Sequence, residues 1–455
     1  MLSDRKHMGR VQAACLITVL LMEMLLLLVE GRANFIVWYL LERYLTIPAM
    51  IFLGTALCCK QTRQTGAPLI LGGAMILWFI VVQIVHVYMG MDKVELGPVA
   101  CVYALALPFC AVTEDGQRQY GLRLTGVAVL TGCMMVLAAW ALLALGRLPA
   151  SIGVSASWDG ARLSAMGHPN LCATFLMMGI AFSAGFGIRC RKVWCRVLLV
   201  VLIALQFGVM SLTNSRTAIL ITCALLGGLV FCGLRRPDWK GLLTALLAAL
   251  VVAGGLFALS RQLFRLNESH LTQLALQAQQ AGQEVSGLPQ LDESGNLIAF
   301  SVQSSLKQDM GSLNGRTAIW KALLKALADN SQVSAIGTEY LDLLMEQGGM
   351  SFPAAHAHNS WLEILCRRGT VGLILALILT AMALWNAAVL LWRNEDLWKS
   401  CIALLSLCLI GCGILEPYLF VDSMSYHFFD FVFMMCLGYM HIWRGQRPKG
   451  DSGNV

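Results

Sequence analysis

Charged residues are scarce in this sequence. Asp, Glu, Lys and Arg make up 13% of the 455 residues, whereas about 25% is usual in a soluble domain. Hydrophobic residues make up 58% and lie in long runs, such as 197–212, 218–234 and 372–392. Each run approaches the roughly 17–25 residues that cross a bilayer as a helix. Because backbone polar groups in lipid must be bonded within their own segment, we expect an all-α, polytopic membrane protein.

The sequence also lacks the patterns of several other protein classes. Its 16 cysteines lie mostly within the apolar runs, so we expect no disulfide framework. No Cys/His spacing is typical of zinc, and no Asp-x-Asp motif lies on the predicted outer side, so we expect no metal and no other cofactor. No basic patch is interleaved with aromatic residues in a soluble segment, so we expect no nucleic-acid partner.

The apolar runs predict twelve membrane-spanning helices. We expect them to form a single transmembrane domain over residues 1–455. The predicted spans are 12–29, 40–58, 68–88, 97–112, 122–145, 168–188, 193–213, 217–234, 241–260, 370–392, 400–420 and 427–443.

The Lys and Arg residues predict the orientation. With the N-terminus in the cytoplasm, the cytoplasmic segments receive 19 of them and the short outer loops receive 6. Cytoplasmic segments of membrane proteins carry an excess of Lys and Arg, so both termini are predicted to be cytoplasmic, in the cell inner membrane. The net charge of +7 follows from these clusters, which suit anionic membrane lipids.

One long polar segment, residues 261–360, is predicted to form an extracytoplasmic loop between spans 9 and 10. Its middle, 281–296, is rich in Gly, Gln, Ser and acidic residues and is predicted to be flexible. Residues 315–327 predict an amphipathic helix that lies on the membrane or on the bundle. A second helix is predicted from Asn359 to Arg368, ended by Gly369. The amphipathic helix is expected to present Ile319, Trp320, Leu323, Leu324 and Leu327 on one face, with Lys321 and Lys325 on another.

Two arginines on the predicted outer side could bind an anion. Arg216 follows Ser215 at the turn between two spans, against the general charge bias, and its planar fork suits phosphate oxygens. Arg316 lies at the start of the amphipathic helix, where free N–H groups also favour an anion. Each has a simpler interpretation, because a lone Arg can reach out to lipid headgroups or lie in solvent at a helix start.

Two histidines precede predicted helices on the same side. His168 begins His168-Pro169-Asn170, and His358 is followed by Asn359. Either histidine could be a base or could simply cap or pack against its helix. The sequence gives His356 no support beyond its neighbour. Ionisable groups in or near spans are functional candidates, although the sequence assigns them no role; these are Glu23, Glu416 and Asp430.

The order of these motifs along the chain resembles a known family. The chain resembles the O-antigen ligase and lipid-linked polysaccharide polymerase family in the order of four motifs. These are His-Pro-Asn, Ser-Arg, a long outer loop with Gly-Arg-x-x-Ile-Trp, and His-Asn followed by nine residues and then a glycine. Here 360–368 separate Asn359 from Gly369. The resemblance covers 160–392 in motifs and the whole chain in topology.

The resemblance implies a membrane glycosyltransferase in cell-surface polysaccharide assembly. It would be metal-independent and inverting, and would move a glycan from a polyprenyl (undecaprenyl) diphosphate carrier to a glycan, lipid or protein acceptor. The resemblance makes His358 the catalytic residue, and Arg216 and Arg316 the residues that hold the diphosphate. The supporting residues of these motifs would be His168, Asn170, Ser215 and Asn359.

The sequence leaves several alternatives open. A ligase and a polymerase share this chemistry and differ in the acceptor, which the variable loop would recognise. A transporter or flippase of lipid-linked oligosaccharides would also span the membrane many times, but it would be expected to show paired broken helices in two halves, and no such halves are visible in the sequence. An inactive relative that serves as an assembly scaffold is a third possibility.

Overall fold

A computed structural model of the chain describes residues 2–29, 44, 47–56, 66–90, 104–112, 119–147, 156–236, 238–281, 291, 313–338, 340–350, 354, 356–420 and 427–446. Within these residues the architecture is a helical bundle with one small β-hairpin. In chain order the elements are α1 (Leu2–Val29), α2 (Ile47–Ala56), α3 (Gly66–Tyr88), α4 (Leu107–Ala111), α5 (Tyr120–Ala144), β1 (Ala156–Asp159), β2 (Arg162–Ala165), α6 (Pro169–Arg189), α7 (Val193–Leu212), α8 (Arg216–Leu234), α9 (Trp239–Gln280), α10 (Leu313–Asp329), α11 (Ser331–Ile336), α12 (Leu341–Gln347), α13 (Ser360–Arg393), α14 (Leu397–Leu415) and α15 (His427–Gly445).

Eight of the described helices are long and apolar enough to cross a membrane, which confirms a helical, multi-pass membrane protein. These eight are α3, α5, α6, α7, α8, α9, α13 and α14. The predicted spans 12–29 and 427–443 lie within the helices α1 and α15, and α1 begins ten residues earlier than its predicted span. Residues 97–103 of the predicted span 97–112, and the ends of the span 40–58, lie outside the described residues. The count of twelve therefore stays a prediction.

The centre of the bundle is formed by α6, α14 and α15. Nearly all side chains of α15 are buried, and α6 is buried along most of its length. The core is rich in aromatic side chains, with Phe175 and Phe428 packed at 5.9 Å between ring centroids and Tyr418 stacked on Phe429 at 5.0 Å. This packing fixes the ends of α6 and α14 relative to each other, and the candidate site is built from those ends.

A β-hairpin precedes α6, a feature that the all-α prediction did not include. Its strands pair antiparallel, with Ala156 opposite Ala165 and Asp159 opposite Arg162. The strands have four residues each, too short for alternation to stand out in the sequence. The hairpin lies at the end of the bundle where α6, α8 and α13 begin, which we call the hairpin end.

Helix α9 extends well beyond the predicted end of its span at residue 260. It continues to Gln280, so the first part of the predicted loop 261–360 is helical. Asn267 Nδ2 donates to the Ala161 carbonyl at 3.1 Å, and Leu271 is buried. The extension thus packs onto the hairpin. The segment 281–296, predicted to be flexible, lies almost entirely outside the described residues.

Helices α10, α11 and α12 form a small second core at the hairpin end. The amphipathic helix α10 buries Ile319, Leu323 and Leu327 in it, as predicted. Leu324 was predicted on the same face, but 54% of its surface is exposed. The buried face is completed by alanines at 322 and 326 instead, because α12 approaches α10 closely.

The predicted end of a helix at Gly369 is confirmed. Gly369 has φ +67 and interrupts α13 between its polar first part and its apolar span. A Cβ at Gly369 would lie 2.2 Å from the Ala335 carbonyl oxygen, because α11 packs directly on this break. Thr338 N donates to Cys366 O at 2.7 Å and Thr370 Oγ1 to Ser334 O at 2.8 Å. Hydrogen bonds to backbone carbonyls therefore attach the small second core to the bundle.

Basic side chains gather at the opposite end of the bundle, which we call the basic end. Arg189 donates to Gln119 Oε1 at 2.7 Å and pairs with Asp396 at 3.4 Å. Arg235 lies over the ring of Trp392, and Arg393 donates to Arg444 O. Arginines lie at both ends of the bundle, so the side of the membrane that each end faces stays a prediction from the sequence.

Candidate functional site

The centre of the candidate site is Glu416, the residue that follows the last turn of α14. It is 6% exposed. Its Oε1 accepts hydrogen bonds from Arg316 Nη2 at 2.6 Å and from Asn170 Nδ2 at 2.7 Å. Its Oε2 lies 3.2 Å from His358 Nδ1. One buried carboxylate thus joins three residues that sequence analysis selected from three separate segments.

Glu416 is an anion at neutral pH. Burial alone would raise its pKa, but the hydrogen bond from His358 and the charges of His358, Arg316 and His168 outweigh this, and the pKa is lowered. An ionised carboxylate can only accept hydrogen bonds, so His358 Nδ1 must donate to it. In the neutral imidazole, Nε2 then carries the free lone pair.

The backbone of Glu416 is held separately from its side chain. Ser360 Oγ donates to the Glu416 carbonyl at 3.0 Å and accepts from Leu419 N at 3.0 Å. Asn359 Nδ2 donates to Ile414 O at 2.9 Å. The first residues of α13 therefore fix the end of α14, and the carboxylate is free to bind side chains.

His358 does not cap the helix that follows it. Asn359 is the cap, and its Oδ1 accepts from Leu362 N at 2.9 Å. His358 itself has φ +50, a left-handed conformation that is uncommon for residues other than glycine. This conformation aims the imidazole at Glu416 instead of at the helix. The simpler interpretation of His358 as a helix cap is therefore wrong.

A second buried carboxylate holds the segment that carries His358. Glu363 accepts from Ala357 N at 2.6 Å and from Arg367 Nε at 2.8 Å. His356, for which the sequence offered no role, lies 3.7 Å from the same carboxylate. Trp320 Nε1 donates to Ala357 O at 2.8 Å from the other side. The backbone before His358 is thus fixed by α10 and α13 together.

His168 does cap its helix. Its Nδ1 accepts from Asn170 N at 3.2 Å, and Pro169 occupies the first helical turn. Glu416 and His358 are among its electrostatic neighbours. His168 therefore lies at the edge of the site and orients Asn170, which reaches Glu416 directly.

Arg162 on the hairpin is a member of the site that sequence analysis missed. Its Nη2 donates to Asn170 Oδ1 at 3.3 Å and its Nε to Thr213 O at 2.9 Å. Burial lowers its pKa, and the charge of Arg216 adds to this, whereas Asp159 and Glu416 oppose it. The one signal in the sequence was an arginine in a segment predicted to lie outside, against the charge bias.

Arg216 and Ser215 lie beside this cluster rather than in it. Arg216 is exposed in the first turn of α8, and Ser215 is the buried residue before the helix. Arg162 is close enough for the charge of Arg216 to affect its pKa. The described contacts of Glu416 do not include Arg216, so the two predicted arginines differ: Arg316 is bound inside the site and Arg216 borders it.

These features define a class of protein: a multi-pass membrane protein with a buried carboxylate among arginines, a histidine and an asparagine at one end of its helices. Residues 199–377 match the model of a family described as O-antigen ligase. This stretch of the chain is therefore similar to the O-antigen ligase family. A search of the curated proteins found no match to the chain.

The matched stretch contains part of the site. It includes Arg216, Arg316 and His358, together with Gly369. The hairpin strand that supplies Arg162 and the helix ends that supply Asn170 and Glu416 lie outside it. The contacts of Glu416 therefore connect the matched stretch to the rest of the chain.

Proposed function

We propose that the protein is a glycosyltransferase that moves a glycan from a polyprenyl diphosphate carrier, such as undecaprenyl diphosphate, to an acceptor hydroxyl. The observation that carries this proposal is that Arg316 and His358 both contact the carboxylate of Glu416. A cation for a diphosphate leaving group and a base for an acceptor hydroxyl are then neighbours, as a direct transfer requires.

The arginines would stabilise the leaving group. As the bond between the anomeric carbon and the diphosphate oxygen breaks, its electron pair goes to that oxygen and negative charge grows there. Arg316 from inside the site and Arg216 from its border would bind this charge more strongly in the transition state than in the ground state. Positive charge from protein side chains takes the place that a metal ion has in other transferases, so we propose a metal-independent reaction.

His358 would be the general base. The acceptor oxygen attacks the anomeric carbon from the face opposite the diphosphate, and Nε2 of His358 takes the hydroxyl proton. Glu416 accepts from Nδ1 and stabilises the imidazolium that forms. A single displacement of this kind inverts the anomeric centre.

We further propose that the hairpin end faces the outside of the inner membrane, with both termini in the cytoplasm. The Lys and Arg distribution of 19 against 6 supports this orientation. The site would then receive glycans that have already crossed the membrane on their lipid carrier. Ligase and polymerase activities both fit, because they differ in the acceptor and not in the groups described above.

A transfer assay with arginine variants tests this proposal. Arg216→Ala and Arg316→Ala should each abolish transfer from a polyprenyl-diphosphate glycan while the protein still accumulates in the membrane. Lysine at either position should rescue only in part, because an ammonium lacks the planar fork of donors. Arg393→Ala, at the basic end, is the matched control and should transfer at the wild-type rate. Full activity in both site variants would assign diphosphate binding elsewhere.

A further inference from the structure

Glu416 is a negative charge in a site surrounded by positive ones. Arg316 binds it directly, and Arg162 is linked to it through Asn170. Arg216 adds a third guanidinium nearby. A site of this charge attracts a further anion, yet a carboxylate already occupies the hydrogen-bonding position next to Arg316.

The hydrogen bond to Glu416 does not use all the N–H donors of Arg316. Its Nη2 binds Glu416, while its Nε is buried and has no hydrogen-bond partner among the described residues. A guanidinium has five N–H donors in a rigid fork, which matches two oxygens of one phosphate group. A buried donor without a partner costs free energy, so a ligand that supplies an oxygen there gains a contact that the free protein lacks.

We propose that Glu416 is a positioning residue that stands in for the donor's diphosphate in the free protein, and that donor binding transfers Arg316 from Glu416 to the diphosphate. This inference rests on the proposed function. Glu416 then keeps Asn170 and His358, and the proton that His358 gains during transfer supplies the positive charge that Arg316 took away. The carboxylate is thereby paired with a cation in the free protein and again once His358 has taken the proton.

The backbone contacts of Glu416 make it possible to distinguish the proposed exchange from a purely structural role in fixing the end of α14. The Glu416 carbonyl, not the carboxylate, accepts from Ser360 and fixes the end of α14. Glu416→Gln therefore keeps the anchor and nearly the same shape while it removes the charge that competes for Arg316. Asp396→Asn is a matched control, because Asp396 caps the other end of α14 and pairs with Arg189; asparagine caps equally well.

The experiment measures donor binding and transfer separately on the purified full chain. The probe is a polyprenyl-diphosphate glycan, with equilibrium binding for affinity and single-turnover transfer at saturating donor for rate. Glu416→Gln should bind this donor at least about fivefold more tightly, the lower range of coupling between two sites. Its rate should fall by at least about tenfold, because the variant lacks the negative charge that orients His358 and stabilises the imidazolium formed during transfer. Asp396→Asn should change neither quantity.

Tighter donor binding together with slower transfer in Glu416→Gln is the result that the exchange predicts. Weaker donor binding in Glu416→Gln would overturn the proposal, because Glu416 would then hold Arg316 in its binding geometry. Unchanged affinity and rate would also overturn it and leave Glu416 as an anchor. If Glu416→Gln does not fold, Glu416→Asp withdraws the carboxylate by one methylene, and its smaller effects should have the same two signs. Failure of the wild type to bind or transfer would instead refute the proposed function.

Discussion

Replacement of His358 by asparagine separates catalysis from folding at this site. Asparagine tolerates the left-handed conformation that His358 adopts at φ +50, whereas alanine does not tolerate it well. The cap on α13 comes from Asn359 and is unaffected. Glu416 keeps its hydrogen bonds from Arg316 and Asn170. We therefore expect the variant to lose about 1 kcal/mol of unfolding free energy, the ordinary value of one lost hydrogen bond.

The expected loss of activity is much larger than the loss of stability. A positioned general base contributes about 10²–10⁴-fold in rate, which corresponds to about 2.7–5.4 kcal/mol of activation free energy. The assay is single-turnover transfer from a polyprenyl-diphosphate glycan on purified protein, with thermal unfolding measured on the same samples. Donor binding should persist, because the arginines carry the diphosphate.

His356→Asn is the matched control. This histidine lies two residues away and contacts Glu363 instead of Glu416. Its variant should transfer at close to the wild-type rate. Transfer by His358→Asn at a rate similar to that of the wild type would refute the assignment of the base.

Three further predictions concern stability and orientation. Gly369→Ala should lower the free energy of unfolding by more than about 1 kcal/mol, because its φ of +67 and the nearby backbone exclude a Cβ. Gly255→Ala, in open space on α9, should be neutral or stabilising. Because the pKa of Glu416 is lowered, its charge stabilises the fold above the ordinary pKa of 4.5, and this contribution is lost as the pH falls through the lowered value. In unfolding scans the wild type should therefore lose its stability advantage over Glu416→Gln only below about pH 4.5. Cysteine labelling in intact cells should reach position 290 from outside and position 238 from inside, and labelling of 290 from inside would contradict the orientation.

The parts of the site that the sequence predicted are those with a local signal. The helix end at Gly369 follows from nine-residue spacing and a glycine, and the structure confirms it. The buried face of α10 follows from helical periodicity. Asn359 before an apolar helix predicted a helix start, and it caps that helix.

The parts that were missed depend on contacts between distant segments. Glu416 was noticed as an ionisable group near a span, but its partners Arg316 and His358 are 100 and 58 residues away. Arg162 reaches the site through a hairpin of two four-residue strands, too short to give a period in the sequence. No local pattern encodes which helix ends meet, because that is decided by how the apolar helices pack in the bundle.

The fate of the lipid carrier tests the central claim most directly. Purified wild-type protein in vesicles is supplied with a polyprenyl-diphosphate glycan and an acceptor, and free polyprenyl diphosphate is measured together with the glycosylated acceptor. Our account predicts one polyprenyl diphosphate released for each glycan transferred, with neither product in Arg316→Ala. Movement of the intact donor across the bilayer without release of polyprenyl diphosphate would contradict it and identify a transporter of lipid-linked glycans.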